Sequence, residues 1–481
     1  MTTNANRARR IAPAHSERPS GEAGARTVAL AVLGVFVTYV PITTVSDSLT
    51  TIGASTGAST ADLQWVSDSY IIPMAAMILS AGVFGDLHGR RRVYLTGMAL
   101  TVLGTVIAAL AGSLSSMSAL RLLWTGQAVT GVGAGLLLPT TLALIAHAVP
   151  DLRARARYVA LWATGLVLGI AVGPLMSGII LRSAGWGWVF VPTAGLALGA
   201  GVLAALRLPE SKAPDGRRLD WPGQITATIA IAASIFGVIE GGQSGWSSAR
   251  AVIGLAVGAV AFAAFLRVEA RSSAPLLNLS LFRSPAFSAA GFAALIALFA
   301  LVGTIFLLSL FFGAGQHLSP LAIGVRLLFI NGVTAVANPL VGRLLTRWPP
   351  VALLAVGLGL GAVAMFLMTG IQADTSIGAA AWRLAILGVA DAFMLSAVAV
   401  AAIHAVPHRL AGMAAATNTA LRQYGAVLGP AVLGVILTSR IAGGASMSSA
   451  LHTALTVNGV LLVIAAIVCA MTVRLGPDTA S

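Results

Sequence analysis

Charge is scarce in this chain: 9% of its 481 residues are Asp, Glu, Lys or Arg, against 57% hydrophobic. A soluble globular domain carries about a quarter charged residues, so an ordinary water-facing surface cannot be assembled from this composition. Lysine is reduced to Lys212, and the single cysteine, Cys469, excludes an intrachain disulfide and reads as a packing residue in the last apolar span. Long polar segments are missing too. The longest, residues 1–26 and 207–220, are too short for a soluble domain. No Walker loop with Gly-Lys-Ser/Thr occurs, which argues against ATP as a direct fuel. The histidines are scattered (His15, His88, His147, His317, His404, His408 and His452). His404 and His408 can share a helix face, but no neighbouring Cys or acid completes a metal site. Neither a metal nor a cofactor is expected, and an enzyme reading is poor.

What the chain has instead is apolar length. A helix of about 20 apolar residues spans the hydrocarbon core of a bilayer. Fourteen such stretches are legible, at residues 27–50, 62–81, 93–112, 120–146, 158–181, 188–206, 221–241, 251–268, 288–312, 321–344, 350–370, 382–403, 412–438 and 452–473. The chain is therefore an all-α polytopic membrane protein. The first stretch is polar for lipid, through Pro41-Ile42-Thr43-Thr44-Val45-Ser46-Asp47, so one of its faces should look into the protein. The tail before it does not resemble a cleaved signal peptide, because the apolar stretch is too long and many others follow.

Arginines set the expected orientation. Alternate connections hold Arg90, Arg91 and Arg92, then Arg153, Arg155 and Arg157, then Arg207, Lys212, Arg217 and Arg218. The opposite set shows Arg121, Arg182, Arg250, Arg383 and Arg440. This bias places both termini in the cytoplasm. The net charge of +14 then meets anionic lipid headgroups rather than nucleic acid, for which no folded module is visible. Abundant Ala, Gly and Arg fit a GC-rich bacterial source and so the bacterial plasma membrane. The 53 glycines let helices approach closely, bend or slide, as a channel or a transporter could use.

Gly82-Val83-Phe84-Gly85-Asp86-Leu87-His88-Gly89-Arg90-Arg91-Arg92 follows the second span. Asp86 and Arg90 are four apart and can pair if the helix continues, while Gly89 permits a tight reversal. The plain reading is a basic turn at the membrane surface. The other is a conformational latch whose charge pairs form and break. This G-x-x-x-D-x-x-G-R-R pattern resembles the loop between helices two and three of the major facilitator superfamily. Gly165, Gly169, Gly173, Pro174 and Gly178 in the fifth span look like the antiporter motif of its drug exporters. Three segments are similar to its fourteen-helix drug:proton antiporter branch: the one from Leu63 to Tyr70, the one from Leu136 to Ile145, and Asn418 to Gly425 with Arg422. Pro339-Leu340-Val341-Gly342-Arg343 looks like a reduced copy of the loop motif in the second half.

The resemblance implies two six-helix bundles, residues 27–206 and 288–473, rocking around a central cavity. Two inserted helices, 221–268, would lie between them, with cytoplasmic segments at 1–26, 207–220, 269–287 and 474–481. It also implies proton-driven export of small amphipathic or cationic compounds by a monomer, its partners being lipids, protons and a small-molecule substrate. A facilitator or importer of a metabolite is the alternative, and a receptor or scaffold a weaker one. Two positions depart from the branch pattern. Pro41 stands where an aspartate is usual, with an acid appearing later at Asp47, and Gln127 stands where an arginine associated with proton coupling is usual.

Acids in a span are costly and are functional candidates by default. They are Asp47, Asp68, Asp391 and Glu240. Low dielectric favours the neutral form of a carboxyl group, so Asp391, mid-span, can carry a proton or attract a cation, or be a satisfied structural acid. Asp68 can hold a helix pair or face the cavity. Asp47 can be solvated near the outer end, and Glu240 reads as interfacial. Arg422 would anchor its helix, and Arg326 would snorkel from the end of its span. Trp65, Tyr70, Trp124 and Trp162 can line a cavity or, for Trp65 and Trp162, mark the interface.

Overall fold

The computed structural model describes residues 21–114, 116–149, 152–211, 220–272, 275–406 and 410–474. Among them are fourteen α-helices and no strand: α1 (Gly21–Thr56), α2 (Thr60–His88), α3 (Arg90–Ala111), α4 (Ser116–Ala148), α5 (Leu152–Ile180), α6 (Val191–Arg207), α7 (Trp221–Ser244), α8 (Ala249–Arg271), α9 (Pro285–Leu310), α10 (Pro320–Leu344), α11 (Pro350–Met368), α12 (Ile377–His404), α13 (Ala411–Ala442) and α14 (Met447–Arg474). By length and apolarity alone, 12 helical segments could cross a bilayer. The other two helices are α2, which carries Asp62, Asp68 and Asp86, and α5, whose apolar part is only Thr164–Ile180.

Each helix matches one expected span, and most run a few residues past it. The reason is capping. Ser59, Asp220, Ser248, Ser284, Ser319 and Ser376 each accept a hydrogen bond from a backbone N–H of the first turn that follows, which satisfies donors the helix leaves orphaned. The polar first span is α1, unbroken over 36 residues despite Pro41. Its hydroxyls look after themselves: Thr38 donates to the Gly34 carbonyl, Thr44 to Val40, Ser46 to Ile42 and Ser48 to Thr44. Back-bonding of this kind makes a Ser/Thr-rich helix tolerable where water is absent. As expected, that face is turned inward, with Thr43, Thr44, Ser46, Asp47 and Ser48 all buried.

Helices α1–α6 pack chiefly among themselves, through α3 on α4, α2 on α4 and α1 on α5. Helices α9–α14 do the same, through α13 on α9, α11 on α12 and α14, and α10 on α12. The α7–α8 hairpin packs mainly on itself, and α7 also lies against α2 and α13. Its open end, away from the connecting loop, is tied down at Glu269, 4% exposed, whose Oε2 accepts the Leu277 N–H at 2.8 Å. The halves meet where α5 crosses α10 and α2 crosses α13. Large apolar side chains such as Val260, Leu206 and Val336 point outward, as lipid permits.

Small residues set the helix spacing. A Cβ on Gly131 of α4 would fall into the Tyr70 carbonyl of α2, and one on Gly425 of α13 into the Leu295 carbonyl of α9. Overpacking at such points costs about 1–3 kcal/mol. Glycine to alanine in a helix otherwise gains about 1 kcal/mol, so the sign of the effect tests the packing. Gly131→Ala and Gly425→Ala are expected to lower the apparent melting temperature in detergent. Gly199→Ala, where nothing lies within 4 Å, is expected to hold or raise it.

Candidate functional site

Two glycine turns name the ends of the molecule. Gly57 (φ 71°) joins α1 to α2 at one end, and Gly89 (φ 102°) joins α2 to α3 at the other. The halves touch backbone to backbone at the Gly57 end. The Cα of Leu321 on α10 lies 2.7 Å from where a Cβ of Gly178 on α5 would be, and the Pro174 carbonyl lies 2.6 Å from that of Gly324. Gly313 beyond α9 abuts Thr50 of α1, and Gly434 of α13 abuts the Gln64 side chain of α2. Towards the Gly89 end, by contrast, Gly82 and Gly342 have no neighbour within 4 Å at the Cβ position.

Between the halves lies a cavity of about 60 Å³ walled by α1, α2, α5, α9, α12 and α13. Its wall is apolar except for a few groups, among them Tyr39, Thr43, Asp391, Arg422 and Gln423. Asp391 sits midway along α12 and is 6% exposed. The Arg422 guanidinium acts on it electrostatically, and the Thr334 hydroxyl of α10 lies beside it. That hydroxyl's proton is directed to backbone carbonyls, Gly388 at 2.9 Å or Ile330 at 3.0 Å. Across the cavity Tyr39 of α1 pairs with the Gln423 side chain and also faces Arg422. A carboxyl group and a guanidinium from the second half thus share one cavity with a phenol from the first. No ion pair within 4.0 Å joins Asp391 to Arg422 among the described residues, so each is placed to answer to a third group.

Towards the Gly57 end a tighter recess of about 10 Å³ is lined by Ser46, Ser67, Tyr70 and Gln127, sharing Ile42, Ile71 and Val302 with the main cavity. Gln127 donates to the Val66 carbonyl at a long 3.5 Å, and its Oε1 has no partner among the described residues. Tyr70 donates to the Thr38 carbonyl. Asp68, fully buried, has no hydrogen-bond partner among the described residues and lines neither recess. Asp47 is equally unpartnered and only 1% exposed, so the solvated position open to it from the sequence does not occur: α1 runs on past it to Thr56. Unpaired buried carboxyls are costly in a bilayer.

The other sequence candidates separate. Trp65 and Trp124 line a lateral groove with Glu240, away from the main cavity. Trp162 donates to the Thr141 hydroxyl at 2.9 Å, joining α5 to α4. Gly165, Gly169 and Gly173 lay α5 against α1. Arg326 does not snorkel: it is 8% exposed, with its guanidinium 5.6 Å from the Phe312 ring centre. Arg422 borders the cavity, where the sequence suggested an anchor. Arg343 is exposed at the end of α10. At Gly89 the missing Cβ leaves room for Glu210, which also accepts the Arg91 N–H at 3.2 Å and lies 4.0 Å from Arg92. Arg90 donates its N–H to the Ser211 carbonyl. The Asp86 side chain lies outside the described residues, as do the structures of residues 1–20, Lys212, Arg217, Arg218, His408 and the tail from 475.

Sequence reasoning missed Tyr39, Gln423 and Glu210. A tyrosine in an otherwise aliphatic turn of the first span was the available signal for Tyr39. Gln423 sat unremarked beside Arg422.

Residues 31–430 match the family model described as Major Facilitator Superfamily. The chain is 32% identical over 409 residues to the multidrug resistance protein Stp of Mycobacterium tuberculosis, covering 85% of this chain and 74% of that one. It is 30% identical over 417 residues to the methylenomycin A resistance protein of Streptomyces coelicolor, 86% of each chain. It is 28% identical over 418 residues to the tetracenomycin C resistance and export protein of Streptomyces glaucescens, 86% of this chain and 76% of that one. In fold it is similar to a crystal structure of a POT family transporter in complex with a thioalcohol-conjugated peptide, with a TM-score of 0.70, 13% identity, and 95% and 97% of the two chains covered. With two helical halves closed over a shared cavity and a family match that runs from residue 31 to residue 430, this chain belongs to the major facilitator superfamily.

Proposed function

We propose that this protein exports small amphipathic or cationic compounds in exchange for protons, by alternating access. The carrying observation is that Asp391 and Arg422 border one cavity between the halves, mid-membrane, without pairing directly. Relatives named for multidrug, methylenomycin and tetracenomycin C resistance support efflux as the direction.

In this reading residues 27–206 and 288–473 rock about the cavity while 221–268 ride on α2 and α13. The arginine bias puts the Gly89 end and both termini in the cytoplasm, so the conformation described is closed outward. Asp391 is the carrier. Ionised, it holds a cationic cargo against the pull of Arg422. Protonated from outside, it lets the cargo go and carries the proton inward. Proton and cargo exclude each other because one carboxyl cannot serve both. Gln127 then needs no charge of its own: the cation that the branch places on the fourth helix is supplied by Arg422 from the other half. Asp68 and Asp47 line neither the cavity nor its recess, and in this reading they do not carry the proton. The protein acts as a monomer.

The stoichiometry has a physical consequence. Exchange of one monovalent cation for one proton moves no net charge, so only the pH gradient drives it. Export of a neutral compound moves one charge, and the membrane potential then adds about 2.3 kcal/mol per 100 mV. In proteoliposomes, tetraphenylphosphonium transport is expected to follow the pH gradient and ignore an imposed potential, whereas a neutral cargo should respond to both. Asp391→Asn, which mimics the protonated carboxyl, is expected to lower gradient-driven accumulation at least about tenfold, about 1.4 kcal/mol, and to weaken counterflow of a cationic cargo as well. Asp68→Asn should retain gradient-driven accumulation if the protein folds. Transport indifferent to the gradient in the unmodified protein would instead favour a facilitator.

A further inference from the structure

On the flank of the molecule, at the Gly57 end, α2, α4 and α7 enclose a groove of about 290 Å³ that is separate from the central cavity. Trp65, Trp124 and Phe236 wall it, with Asp62 and Glu240 among its lining and neither Arg nor Lys. The aromatic walls are held in place. The Trp65 and Phe236 ring centres lie 6.4 Å apart with planes tilted by 45°, and Trp124 Nε1 donates to the Asp62 carbonyl at 3.3 Å.

The two carboxylates differ. Asp62 is occupied in a helix cap, its Oδ2 accepting the Ser59 N–H at 2.9 Å and the Ser59 hydroxyl at 2.6 Å. Glu240, half-buried, meets only the Ser244 hydroxyl at 3.5 Å among the described residues. Its charge is uncompensated next to three aromatic faces. The groove does not stop there. Its floor residues Ala61 and Ile239 also border a recess of about 470 Å³ between α2, α7 and α13. Gln64 lines that recess at 1% exposure with its Oε1 unpartnered. The path therefore runs from the aromatic groove to the seam where the halves meet.

Aromatic faces beside an unspent carboxylate attract a weakly hydrated cation. An anion would be repelled, a neutral molecule would leave Glu240 unpaired, and a metal ion would want more oxygen ligands than the groove offers. We propose that this groove is a second binding site, for a monovalent organic cation on an apolar body. That chemistry is shared by free lipophilic cations and by the quaternary ammonium of a choline lipid. The site makes no use of Asp391, so it can stand even if transport is not proton-coupled.

The test uses full-length protein carrying Asp391→Asn in nanodiscs of phosphatidylglycerol, titrated with radiolabelled tetraphenylphosphonium. Saturable binding is expected, weakened about tenfold by Glu240→Gln and similarly by Trp65→Leu, with Glu240→Asp restoring most of the affinity. Neutral triphenylphosphine oxide should bind equally to all. Added phosphatidylcholine that competes identifies the headgroup as an occupant of the same site, and its failure to compete leaves the free cation as the occupant. Either result supports the site. Saturable binding that neither Glu240→Gln nor Trp65→Leu alters, or no saturable binding at all, overturns it. Two variants on different helices guard against one that fails to fold.

Discussion

The rest of this structure depends on one constraint: in a bilayer a polar group has no water to fall back on. Backbone groups answer it by forming helices, and hydroxyls by bonding to their own preceding turn. A buried carboxylate can do neither, because it has no proton to give a carbonyl. Asp391 and Arg422 border the space the chain keeps between its halves, and under the function proposed above a proton or a cargo entering that space is their partner. A fully packed protein would make these residues only a cost. In a protein whose halves separate, the same cost becomes a bias between conformations.

Close helix approach makes such motion possible. Gly178 against Leu321, Gly324 against Pro174 and Gly434 against Gln64 bring the halves together at the Gly57 end. On one side each of these contacts is a glycine, and the same end is also packed by an apolar cluster shared between the halves, from Leu49 and Leu63 to Phe306 and Leu433. Within the first half, Gly165, Gly169 and Gly173 bind α5 to α1 in the same way. The loop at Gly89 belongs to this design from the other side: the Arg91 N–H and the Arg92 side chain meet Glu210, and the Arg90 N–H meets the Ser211 carbonyl, all within their own half.

Much of the fold was legible because apolar length and arginine placement are one-dimensional signals. All fourteen helices could be read from them, with ends displaced by a few residues, in part by caps such as Ser59 and Ser376. The family was legible in the spacing from Gly82 to Arg92 and in the glycines of α5. The cavity was legible in part. Asp391 stood out because an acid amid apolar residues is anomalous wherever its helix faces. Facing itself was not legible, since α9 is apolar around its whole circumference and the polar residues of α2 are spread round it with no preferred side. That is why Trp65 and Trp124, plausible in a cavity, stand on the flank, and why Arg422, read from the sequence as an anchor of its helix, instead borders the cavity with Tyr39. Glu210 could not be found because its partner lies more than a hundred residues away.

The central claim is that protonation of Asp391 governs which end of the molecule is open. The most direct measurement is the distance between spin labels on Leu87 of α2 and Leu340 of α10, both exposed near the Gly89 end, in a Cys469→Ala background. The account expects this distance distribution to shift between acid and alkaline pH, and expects Asp391→Asn to hold it in the acid-side distribution throughout. A pH-driven shift that persists unchanged in Asp391→Asn would contradict the account, and would place the proton on another group.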